Sequence, residues 1–101
     1  MPEYYSDFWK SVYNSINGLY RNITTATTTT VKSGAGTLHK IIINLSAAGT
    51  ITIYDNTAGS GAKIATIKAS ASEGHYDFNC KFTTGLTIVT GAATDITAIY
   101  T

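Results

Sequence analysis

Charge is scarce in this chain. Asp, Glu, Lys and Arg make up 13% of its 101 residues, about half the ~25% of an average globular protein. They nearly cancel, to a net +1. With no basic surplus to neutralise a phosphate backbone, nucleic acid is not the expected partner. There is one proline and no excess of one sign, so the composition is not that of a disordered chain. A single cysteine, Cys80, excludes an intrachain disulfide framework. No apolar run approaches the ~20 residues of a membrane-spanning helix, and no membrane partner is expected. The opening MPEYYSDFWK carries early acids and no apolar segment, so it does not read as a secretory signal. The length fits one domain, or one domain with an arm, burying roughly 60–70% of its unfolded surface.

What the chain does have is threonine, eighteen residues of it, and a change of texture near Thr24. Residues 1–23 hold the only tryptophan and four of the seven tyrosines, whereas residues 24–101 hold all the threonine and nearly all the glycine. In the first segment Tyr5, Trp9, Val12, Ile16, Leu19 and Ile23 are spaced four, three, four, three, four. That is the 3.5-residue repeat of a helical seam. Phe8, Tyr13 and Tyr20 widen it, and Asp7, Lys10, Asn14, Asn17 and Arg21 lie opposite. The pattern predicts one amphipathic helix over 3–22, forming an arm over 1–23. A bare helix of this length is unstable in water, so the stripe needs a cover. It packs either on its own β domain or against copies of itself or another protein. The second reading makes Tyr5, Phe8, Trp9, Val12, Tyr13, Ile16, Leu19, Tyr20 and Ile23 an assembly interface, and Trp9→Ala would then weaken assembly while leaving the sandwich folded.

From Thr24 onward the period is two. Residues 24–33, β-branched and polar, read as a linker or an edge strand. Strands are predicted at 37–45, 50–54, 62–68, 74–83, 85–90 and 95–101, separated by Gly, Asn, Asp and Ser turns. In the first of these, His39, Ile41, Ile43 and Leu45 share a face, and Ile41-Ile42-Ile43 marks it as a central strand. The uneven spacing in AKIATIK suggests a bulge or an edge. Tyr76, Phe78, Cys80 and Phe82 share one face of the 74–83 strand, opposite His75, Asp77, Asn79 and Lys81. No helical stretch separates these strands, which excludes a doubly wound fold. The reading is a mainly β protein, an antiparallel β-sandwich of six to eight strands over 34–101. Its last strand runs to the final residue, as expected of a complete domain.

Little in the sequence carries chemistry. His75 and Asp77, two apart on a strand, can share a zinc ion, but further ligands are missing and a solvated strand face is the simpler reading. Cys80 lies among apolar neighbours and behaves as a small hydrophobe. No G-x-S-x-G turn is present. Asp55 and Asp77 sit in no acid–base motif. The loop DNTAGSG at 55–61 lacks the alternating acids and closing Glu of an EF-hand. Asn22 and Asn44 head glycosylation sequons that mean little without a secretory signal. No cofactor, metal or catalytic residue is expected, and the chain does not read as an enzyme.

Three phrases carry a resemblance: VKSGAGTLHKIIIN, then GTITIYDNTAGSGAKIATI, then FTTGLTIVTGAATDITAIY. Together, over about residues 31–101, they resemble small β-sandwich virion proteins and modules of tailed bacteriophages. The resemblance implies a non-enzymatic part of a virus particle, made in the host cytoplasm. The first expectation is a capsid decoration (cement) protein, a homo-trimer on the major capsid protein. A neck, tail or fibre-attachment protein is the alternative, and a carbohydrate-binding surface module is the second alternative.

Overall fold

The computed structural model describes residues 18–101. It holds eight antiparallel strands: β1 (Leu19–Ile23), β2 (Thr28–Ser33), β3 (Gly36–Leu45), β4 (Ile51–Tyr54), β5 (Lys63–Ile67), β6 (Gly74–Phe82), β7 (Gly85–Thr90) and β8 (Asp95–Tyr100). They form two four-stranded sheets, ordered β1-β8-β3-β6 and β2-β7-β4-β5. We call these sheets A and B. Successive strands lie in opposite sheets at every connection except β4–β5, and this interleaving is the strand order of an eight-stranded jelly roll.

Both sheets turn apolar side chains into one core. Sheet A supplies Ile23, Leu38, Ile41, Ile43, Phe82, Ile96 and Ala98, and sheet B supplies Ile51, Ile53, Ile67, Leu86 and Ile88. Full burial of each large side chain contributes roughly 1.5–3 kcal/mol. The β-branched and aromatic residues that dominate these strands suit a pleated, half-buried surface.

The helix predicted over 3–22 does not extend through its last turn. Residues 3–17 lie outside the described residues, and Leu19–Ile23 is a strand paired with β8, from Leu19 opposite Tyr100 to Ile23 opposite Ile96. The reason is arithmetic. A spacing of four suits a helix, but it is also twice two, so Leu19 and Ile23 share a face of a strand as well. Gly18 adds a φ of +81°, in the left-handed region where glycine is at home and a helix residue is not. The sandwich therefore begins with β1, not at Gly34. β1 is an edge of sheet A, and β2, within the segment read as linker or edge, is an edge of sheet B.

Bulges account for the other departure. β3 carries one extra residue against β8 between Leu38 and Lys40, and another between Ile43 and Leu45. Each resets the alternation. Leu38, Ile41 and Ile43 are buried, while the expected inward pair His39 and Leu45 are half-buried and 61% exposed. His39 Nε2 instead shares a hydrogen bond with Thr101 Oγ1 at 3.2 Å. The central position read from Ile41-Ile42-Ile43 holds, since β3 lies between β8 and β6. AKIATIK is both bulged, between Ile53 and Tyr54 of the β4–β5 pairing, and at an edge of sheet B.

Candidate functional site

Two outward faces remain once the core is built, and they differ. On sheet B, the β4–β5 connection folds back as a strap over 55–62. Asp55 N–H donates to the Ala62 carbonyl at 2.8 Å, which closes its base. Asn56 Nδ2 donates to the Ser60 carbonyl at 2.7 Å and braces its interior. Thr87 Oγ1 donates to the Asn56 carbonyl at 2.7 Å, and Thr30 Oγ1 to the Thr57 carbonyl at 3.1 Å. Gly59 is pressed onto the sheet, where an added Cβ would stand 2.8 Å from Val89 Cγ2. Thr87 is on the outward side of β7 yet has 0% exposure, because the strap lies over it.

Asp55 fastens the strap to the β6–β7 turn. Its carboxylate accepts the backbone N–H groups of Thr83 and Thr84 at 3.0 and 2.9 Å, that of Gly85 at 3.4 Å, and the Thr83 hydroxyl at 3.2 Å. Consecutive N–H groups converging on one point form an anion-binding nest. Donation from Thr84 and then Thr83 holds the Asp55 carboxyl below its ordinary value. Cys80 is shifted the other way. Burial first, and the Asp55 carboxylate second, push its thiol up. An activated nucleophile needs the reverse.

Among the described residues, no strap lies over the outward face of sheet A. Its residues are those alternating with the buried Ile96 and Ala98 and their cross-strand partners. One row runs Tyr20, Ile99, Lys40, Asp77 and the next Asn22, Thr97, Ile42, His75. Toward one end, Asn22 Nδ2 donates to Asp95 Oδ1 at 2.8 Å, and Asn44 Nδ2 to the same oxygen at 3.2 Å. Those bonds tie β1, β8 and β3 together and engage both sequon asparagines. Toward the other end the chain enters at Gly18, where a Cβ would stand 3.0 Å from Ile99 Cγ2 and 3.7 Å from the His39 ring.

Of the interface read from the sequence, Tyr5, Phe8, Trp9, Val12, Tyr13 and Ile16 lie outside the described residues. The other three fall on β1 and separate. Tyr20 is 75% exposed and Leu19 43%, whereas Ile23 is 4% exposed and belongs to the core. Ile23 is therefore not a contact residue. His75, Asp77 and Asn79 line the exposed side of β6, and no group of three His, Cys, Asp or Glu among the described residues is placed to hold a metal ion. Sequence reading missed the strap. Its signal was present in Asp55, Asn56 and the glycines, yet a turn-rich loop does not announce which face it will cover.

A further concavity of about 410 Å³ opens beside β1 and β2. Arg21, Asn22 and the hydroxyl-bearing Thr24, Thr25 and Thr27–Thr30 line it, with no aromatic ring. Comparison of the chain with protein-family models, with curated proteins and with solved structures found no match.

Proposed function

We propose that this chain is a non-enzymatic structural protein of a tailed-bacteriophage particle, a capsid decoration (cement) protein that self-assembles, as a trimer, on the head. The observation that carries the reading is the jelly-roll strand order, which recurs in viral capsid and lectin domains. The step from fold to role is one of analogy. It is supported by the phage-like phrases over 31–101 and by the make-up of the surface. Exposed Leu19 and Tyr20 follow an aromatic-rich N-terminal segment in sequence, and aromatic side chains give large contact area at small entropic cost. Many weak contacts on a symmetric shell add through avidity. A neck, tail or fibre-attachment protein uses the same features at lower copy number.

The test is to purify particles from the source culture on a density gradient and count this chain against the major capsid protein by quantitative mass spectrometry. A decoration protein is present in tens to hundreds of copies, and heads stripped of it burst at lower temperature. A few copies per particle moves the chain to the neck or tail. Particles without it end the virion reading.

The second reading is a carbohydrate-binding surface module, favoured by the hydroxyl-lined concavity around Arg21. Reproducible binding on a glycan array, lost in Arg21→Ala, would put it first.

A further inference from the structure

We propose that copies of this chain meet through the outward face of sheet A, centred on Tyr20, Ile99 and Ile42. The inference rests on the self-assembly reading above and adds where the contact lies. Its first ground is the difference between the two outward faces. On sheet B the strap buries Thr87 and lies against Val89, and no apolar side chain on that outward face is as exposed as Tyr20. Sheet A presents Tyr20 at 75% exposure next to the half-buried Ile99, with Ile42 diagonal to it across β8 and β3. A contiguous apolar patch rimmed by polar groups marks an interaction surface.

The second ground is where the chain enters. Seventeen residues precede Gly18, among them Trp9, Phe8 and three tyrosines, and Gly18 itself is seated against Ile99 on this face. The segment richest in contact-forming side chains is therefore joined in sequence to the domain at this patch.

The third ground is charge. Lys40 lies opposite Asp77 across the β3–β6 pair, Lys81 is one row beyond and Asp95 is toward the other end. With two charges of each sign the face complements a copy of itself, as symmetric contacts require, and a net charge of +1 offers little repulsion between chains.

The experiment is light scattering on a sizing column with the full-length chain and three variants. Tyr20→Glu and Ile42→Thr alter the face, and Thr66→Glu is a control on the exposed edge of sheet B. Circular dichroism confirms that each is folded, and Ile42→Thr is read alone if Tyr20→Glu is not. The wild type and Thr66→Glu are expected as the same oligomer, with the face variants dissociating at least tenfold more readily. An oligomer indifferent to both face variants overturns this surface while leaving self-assembly standing. A wild type that is monomeric at every concentration overturns both, and hands the face to the chain's own N-terminal residues or to another protein.

Discussion

The Asp55 carboxylate reaches across 29 positions to accept the Thr84 backbone N–H at 2.9 Å, and that contact fastens the strap of sheet B to the β6–β7 turn. The bond is made to the charged form. Its folded pKa is depressed below the ordinary 3.8, so the stabilisation is fully present above that value and is lost as pH falls through the depressed one. Replacing Asp55 by Asn removes the charge and keeps the shape. The expected outcome is a lower melting temperature at neutral pH and faster hydrogen exchange at the Thr83 and Thr84 amides. The difference from wild type should shrink on acidification below 3.8. Unchanged exchange at those two amides would show that the nest does not hold the turn.

Gly36 has no room for a side chain. A Cβ there would collide with the Thr101 carbonyl and stand 2.7 Å from the Phe82 ring. Neither neighbour yields readily, because Thr37 and Thr101 exchange both backbone hydrogen bonds, at 3.0 and 2.9 Å, and Phe82 is core. Gly36→Ala should cost roughly 1–3 kcal/mol by overpacking. Thr66→Ala, on the exposed side of β5, should stay within about 0.5 kcal/mol of wild type. Urea titration of the pair measures both.

Cys80 should react slowly. Its thiol is pushed up by burial and then by the Asp55 carboxylate, and the thiolate is the reactive form. At pH 8 a disulfide reagent should modify it more slowly than a free cysteine. Asp55→Asn should recover part of the difference, the smaller electrostatic part. A wild-type rate equal to that of free cysteine would contradict the burial.

Six of the eight strands could be read from alternation with ends displaced by at most a residue or so, because each has one buried face and short turns. Gly85–Thr90 and the start of the 74–83 strand are examples. The side of β6 that faces the core was legible for the same reason, with Tyr76, Phe78, Cys80 and Phe82 turned inward. Two things were hidden. At Leu19 and Ile23 a four-residue interval suited both periods, and only pairing with the distant Tyr100 and Ile96 decides between them. At His39 the alternation is broken by a bulge in β3, which shows only in its register against β8. The outward faces were hidden too, since pattern separates inside from outside but does not say which outside a loop will cover.

The place of β8 in sheet A sets an order of events. It lies between β1 and β3, yet it is the last of the eight strands in sequence. While the chain is being made, β1 waits through most of its length for β8, its one partner among the described strands. During synthesis, Leu19 and Tyr20 stay uncovered on an unpaired strand, open to chaperones or to another chain's free edge. Sheet A then closes around its final arrival, through pairings of the long sequence separation that makes folding slow.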